Sequence, residues 1–149
     1  MRAAPDRVLR LARFRALWYD RRVRVDEVLS LTGRMFLASV FLAAAFGKVT
    51  NFDGTVQYMT AHGMPAASAL CAAAIAVEGL GSLSLILGYR SRWGASALAG
   101  FLVIATWIFH TGPDQRIQLL KNLAILGGLL NVIALGPGPI SLEGPGGGA

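Results

Sequence analysis

The sequence predicts an all-α integral membrane protein, a four-helix bundle preceded by a basic N-terminal segment. Of the 149 residues, 54% are hydrophobic and only 15% are charged, whereas soluble domains carry about 25% charged residues. The apolar residues cluster in four segments of roughly 18 to 23 residues, each long enough for one helical crossing of a bilayer. These segments are 31–50, 66–88, 93–110 and 119–136. The last three almost lack a polar face, which favours helices that face lipid.

The first 30 residues form the basic segment. Eight of the fourteen basic residues are arginines within its first 24 positions. Val8, Leu11, Phe14 and Trp18 recur at helical spacing, which fits either a helix lying on the lipid headgroups or a partly disordered arm. Because no nucleic-acid-binding motif accompanies the arginines, the net charge of +6 indicates an anchor on anionic lipid and no nucleic-acid partner.

Glycine and proline mark the ends of the four segments. Pro65 stands at the start of the second, where a missing backbone N–H costs little. Gly88 ends the second segment, Gly112 and Pro113 end the third, and Gly136 and Pro137 end the fourth. The sequence therefore divides into a basic segment (1–30), a four-helix domain (31–136) and a Gly/Pro-rich tail (137–149).

The charges of the loops predict the orientation in the membrane. The N-terminal arginines are joined by Arg90 and Arg92 in the loop between the second and third segments, whereas residues 51–65 contain no Lys or Arg. Since basic residues stay on the cytoplasmic side, both termini are expected in the cytoplasm. We expect a multi-pass plasma-membrane protein.

Glu78 lies midway along the second segment, about 18 Å from its outer end. An ionised carboxylate in hydrocarbon costs several kcal/mol, so it requires a partner. Arg34 and Lys48 of the first segment compete, at depths that differ from that of Glu78 by roughly 9 and 15 Å. We predict a structural Glu78–Arg34 ion pair, because a guanidinium reaches far and holds a carboxylate with two hydrogen bonds. In the alternative, both cations extend to headgroups and Glu78 is protonated.

Four polar residues share one depth near the outer ends of the helices: Lys48, His110, Lys121 and Asn122. We predict that they line an outward pocket that binds the head of a quinone or a small anion. His110 would donate or accept a proton, and Lys48 is the second candidate catalytic residue. The alternative is an ordinary interfacial ring of polar side chains.

Cysteine and histidine are scarce. The single Cys71 excludes an internal disulfide or a CxxC pair, and its apolar neighbours favour inert packing. Two His and one Cys are too few for an ordinary structural metal site, so no metal is expected.

The order and spacing of short motifs resemble the DoxX family of small bacterial membrane proteins. In chain order they are Gly33-Arg34, Phe46-Gly47-Lys48, Gly63-Met64-Pro65, Glu78-Gly79, Leu87-Gly88-Tyr89-Arg90-Ser91-Arg92, Thr106 with His110, Lys121-Asn122, Gly127-Gly128, Gly136-Pro137-Gly138 and Ser141-Leu142-Glu143. The resemblance covers about residues 30 to 143 and implies a four-helix membrane bundle. Members and relatives are associated with sulfur and thiol redox systems and with quinone reduction, often beside a soluble partner.

Three functions are compatible with these features. The leading one is a membrane subunit of a redox system, linked to a quinone or to thiol and sulfur chemistry. Quinone is its candidate cofactor, and a soluble oxidoreductase or a second copy of the chain is its candidate partner. The alternatives are a non-catalytic scaffold or assembly factor, and a small carrier or proton path. Whether the chain itself is catalytic stays open at this stage.

Overall fold

The computed structural model describes the backbone at residues 6–109 and 113–144, and the side chains at 25–109 and 114–144. This part of the chain is helical and contains no strand, which confirms the all-α class. The elements are α1 (Asp6–Thr50), α2 (Phe52–Ala61), α3 (Ala67–Leu87), α4 (Ser91–Phe109), a 3₁₀ turn (Pro113–Gln115) and α5 (Arg116–Leu135).

Four helical stretches are long and apolar enough to cross a membrane: Val25–Thr50 within α1, and α3, α4 and α5. They agree with the four predicted segments to within a few residues at most ends. The clearest difference is α1, which begins at Asp6, so no break in the helix marks the boundary expected after residue 30.

The second helix, α2, lies in what the sequence suggested was a loop. Phe52, Val56 and Met59 recur along one face and pack near Ala67 and Cys71 of α3. These contacts hold a ten-residue helix that would be too short to be stable alone. It lies at one end of the bundle, which we call the α2 end.

The bundle is built by α1 packed on α3, α3 on α4, and α4 on α5. Its core includes Phe41 of α1, Leu85 of α3, Leu98 of α4 and Leu129 of α5. At Gly81, a Cβ atom would lie 2.6 Å from Leu98 Cγ, so glycine lets α3 and α4 approach closely. In contrast, α1 and α5 touch sparsely, which leaves a seam between them.

Residues 136–144 fold back over the opposite end of the bundle, which we call the tail end. The Leu142 amide donates to the Leu87 carbonyl at 3.0 Å, and the Arg90 amide donates to Glu143 Oε1 at 2.7 Å. The turn at Gly88 has φ +63°, and a Cβ there would collide with Ser141. Residues 136–144 therefore lie at the same end of the bundle as the beginning of the α1 span.

Candidate functional site

A buried ion pair joins α1 to α3. Lys48 Nζ lies 2.8 Å from Oε1 and 2.9 Å from Oε2 of Glu78. The Glu78 side chain is 3% exposed, and that of Lys48 is 24% exposed. The predicted Glu78–Arg34 pair is therefore wrong, because Glu78 is held by Lys48 instead.

The direction of helical side chains explains this correction. A side chain on an α-helix leans toward the N-terminus of its own helix. Since α1 and α3 run in opposite directions, Lys48 leans from the α2 end toward mid-bundle and Glu78 leans back toward it. Arg34, on the same helix as Lys48, also leans toward the tail end, and from its position this takes it away from Glu78. The leans of Lys48 and Glu78 together close the depth difference of roughly 15 Å between them.

Arg34 is a structural group at the tail end. Its side chain is almost fully buried, with 1% of the residue exposed. Nη1 donates to the Leu85 carbonyl at 2.9 Å, and Nη2 donates to the Ile140 carbonyl. The guanidinium thus ties the end of α3 and the C-terminal segment to α1, far from Glu78.

A cavity of about 510 Å³ occupies the α2 end of the bundle. Lys48, Glu78, Lys121 and Asn122 line it, together with mostly apolar and aromatic side chains from all five helices. The structure therefore brings together three of the four residues predicted to form a pocket. The fourth, His110, lies outside the described residues.

The polar groups on the α5 wall differ in how firmly they are held. Asn122, which is 9% exposed, donates to Thr106 Oγ1 at 2.8 Å. Thr106 in turn donates to the Leu102 carbonyl at 2.6 Å, so the amide is fixed in place. Lys121 is exposed, and no partner for its ammonium is found among the side chains that the structure describes. One fixed amide and one free cation thus stand beside the ion pair.

The helix α2 covers the cavity. Tyr58 and Met59 contribute to its lining. The Tyr58 ring stacks on Phe109 with centroids 5.5 Å apart, and His62 meets Phe109 edge-on at 5.2 Å. His62 Nδ1 also donates to the Tyr58 carbonyl at 2.8 Å. These contacts hold α2 against α4 and enclose the α2 end of the cavity.

Cys71 is fully buried beside Met59 and Ala67. Within residues 25–109 and 114–144, no three His, Cys, Asp or Glu side chains come together as a metal site would require. The polar chemistry of the described cavity therefore consists of two ammonium groups, one carboxylate, an amide and hydroxyl groups.

The DoxX family model matches residues 29–111, more than half of the chain. The chain belongs to the DoxX family. The matched part contains Lys48 and Glu78, whereas Lys121 and Asn122 follow it. The resemblance seen in the sequence motifs is thereby confirmed.

Two curated relatives of this DoxX-family chain come from Escherichia coli (strain K12). It is 32% identical over 123 residues to "Inner membrane protein YqjF", covering 80% of this chain and 93% of that protein. It is 31% identical over 125 residues to "Inner membrane protein YphA", covering 78% of this chain and 89% of that protein. No solved structure matches the chain. The four apolar helices and the similarity to two inner membrane proteins together identify this chain as a multi-pass plasma-membrane protein embedded in the lipid bilayer.

Proposed function

We propose that this DoxX-family protein is a membrane subunit of a redox system and that its cavity binds the head group of a quinone. The observation that carries the proposal is the Lys48–Glu78 ion pair in the wall of an otherwise largely apolar cavity of about 510 Å³. Small-molecule sites are typically about 300–1,000 Å³ and combine apolar walls with a few placed polar groups.

The polar groups suit a ligand that carries hydrogen-bond acceptors. A lysine ammonium has three donors; in Lys48 two bind Glu78, and the contact with the Ala44 carbonyl is long, at 3.4 Å. The Asn122 amide gives one N–H to Thr106 and retains another. A quinone offers two carbonyl oxygens on a flat apolar ring, which matches this arrangement.

The chemistry that these residues could supply is electrostatic. Reduction of a quinone to a quinol consumes two electrons and two protons, and negative charge develops on the carbonyl oxygens as the electrons arrive. An ammonium in a largely apolar cavity stabilises such charge more strongly than it would in water. With only one cysteine in the chain, we assign the two electrons to a partner, a reduced soluble oxidoreductase, and the two protons to solvent. Lys48 would hold the carbonyl, and Glu78 would orient Lys48.

The test is binding of tetramethylbenzoquinone to the protein purified in mild detergent. The double variant Lys48→Met/Glu78→Gln removes both charges together and leaves no buried charge unpaired. We expect its affinity to fall by about tenfold or more, and that of Asn122→Ala to fall severalfold. Gln118→Ala is the matched control, because it removes an exposed side-chain amide on the same helix, outside the cavity. Unchanged affinity in both cavity variants would refute the proposal.

A second candidate is a non-catalytic scaffold or assembly factor, which the closed geometry of the ion pair favours. Both carboxylate oxygens of Glu78 are satisfied by Lys48, so the pair could serve only to join α1 to α3. In that case the neutral double variant would lower the amount of folded protein and leave quinone affinity per folded molecule unchanged. Quantitative size-exclusion chromatography beside the binding assay separates the two functions.

We further propose that both termini lie in the cytoplasm. The support is the distribution of charge: Arg90 and Arg92 lie at the tail end, where the α1 span begins after eight arginines. At the α2 end, residues 51–65 contain no Lys or Arg. Basic residues retained on the cytoplasmic side make the tail end cytoplasmic.

A further inference from the structure

The seam between α1 and α5 contains a groove of about 380 Å³ on the tail-end half of the bundle. Its walls are mainly apolar. They include Leu29, Gly33 and Phe36 of α1, and Gly128, Val132 and Leu135 of α5. The sparse contact between these two helices leaves the groove open to lipid.

Each of the three polar side chains that line the groove makes at least one hydrogen bond within the protein. Ser30 Oγ donates to the Pro137 carbonyl at 3.2 Å, and Asn131 Nδ2 donates to the Gly127 carbonyl at 3.1 Å. Arg34 is 1% exposed and directs its terminal nitrogens to two backbone carbonyls. The groove therefore presents hydrocarbon and suits an apolar chain better than a polar ligand.

The groove and the cavity follow one another along the same two helices. The cavity takes its lining from Val40 to Lys48 on α1 and from Lys121 to Ile125 on α5. Leu37 is the last groove-lining residue on α1 before Val40, the first that lines the cavity, and its Cδ2 would lie 3.0 Å from a Cβ at Gly128. From Leu29 to Lys48 the seam is about 28 Å long, close to the roughly 30 Å of a bilayer's hydrocarbon core.

We propose that this groove holds the hydrocarbon tail of the ligand whose head lies in the cavity, so that the substrate class is a long-tailed membrane quinone. The ligand enters sideways from the lipid between α1 and α5, and Leu37 rotates to let the tail pass. This inference rests on the proposed function. It adds that the polar groups at the α2 end select the head and the α1–α5 groove selects the tail.

The test compares two quinones that differ only in the tail, tetramethylbenzoquinone and its analogue in which one methyl is replaced by a decyl chain. Gly33→Leu places a side chain in the groove, and a Cβ at this position meets nothing within 4 Å. We expect it to weaken binding of the decyl analogue by about tenfold and to leave the tail-less quinone unchanged. Gly127→Leu is the control: a Cβ there also meets open space, and the residue lies outside the groove. It should change neither affinity.

A second variant acts in the opposite direction. Leu37→Ala removes the side chain between groove and cavity, and we expect faster association of the decyl analogue with no change for the tail-less quinone. Equal effects on both quinones, in both variants, would overturn the inference while leaving the cavity proposal intact. A change of oligomeric state in Gly33→Leu would also overturn the inference, because it would mean that a second copy of the chain covers the seam. If the wild-type protein binds neither quinone, the proposed function itself fails.

Discussion

At the scale of single residues, the direction of a side chain decides which charges meet. Depth alone places Arg34 closer than Lys48 to Glu78, yet Lys48 forms the pair because both side chains lean toward one another. The same rule sends Arg34 to the backbone carbonyls at the tail end. Residue types and depths are readable in the sequence, but partners require the relative direction of two packed helices.

The two members of the ion pair should tolerate neutralisation unequally. Lys48→Met leaves a Glu78 carboxylate that is 3% exposed, whereas Glu78→Gln leaves an ammonium on a side chain that is 24% exposed and can turn into the cavity. We expect Lys48→Met to lower the free energy of unfolding by about 3 kcal/mol, more than Glu78→Gln, and the double variant to recover much of the loss. A double-mutant cycle of unfolding in detergent measures the three values. Equal losses that simply add would contradict the pairing.

Arg34 should be irreplaceable by lysine. A single ammonium cannot reproduce the planar fork that reaches the Leu85 and Ile140 carbonyls together. We expect Arg34→Lys to cost about 1–3 kcal/mol and to speed amide hydrogen exchange in residues 137–143. Arg90→Lys is the control, since its hydrogen bond to Glu143 comes from the backbone amide. Unchanged exchange in Arg34→Lys would show that the guanidinium does not hold the C-terminal segment.

At the scale of elements, the four spans follow from the sequence because lipid demands long apolar helices. The helix α2 was missed. Its signal was present in the spacing of Phe52, Val56 and Met59, but so short a helix depends on α3 for its stability. The cavity residues on α1 and α5 could be predicted from their shared depth. Tyr58 and Met59 of α2 could not, because the sequence of this segment predicts a loop.

Close approach of α3 and α4 should depend on one glycine and not on its near neighbour. At Gly81 a Cβ would lie 2.6 Å from Leu98 Cγ, whereas at Gly79 it would meet nothing within 4 Å. We expect Gly81→Ala to destabilise the bundle by about 1–3 kcal/mol and Gly79→Ala to be neutral or slightly stabilising. Thermal unfolding in the same detergent compares the two variants. A Gly81→Ala protein as stable as the wild type would mean that α3 and α4 can separate without loss.

At the scale of the whole molecule, the two ends of the bundle differ in structure and in charge. The tail end is tied together by backbone hydrogen bonds from residues 136–144 and carries Arg90 and Arg92. The α2 end holds the cavity, and its connection from α1 to α3 contains no Lys or Arg. A cytoplasmic tail end would place the cavity in the half of the membrane away from the cytoplasm. An electron-donating partner would then have to act at that side or through the bundle.

Cysteine accessibility can determine this orientation. Cys71 is the single cysteine of the chain, so Cys71→Ala provides a background without any thiol. Because Cys71 is buried, this change leaves the surface unaltered. Thr60→Cys places a thiol on the exposed face of α2, and Leu142→Cys replaces a side chain that is 71% exposed at the tail end. In spheroplasts treated with a membrane-impermeant maleimide, we expect Thr60→Cys to be labelled at once and Leu142→Cys only after lysis, because basic residues keep the tail end in the cytoplasm. The reverse pattern would invert the topology and place the cavity on the cytoplasmic side, within direct reach of a soluble cytoplasmic oxidoreductase.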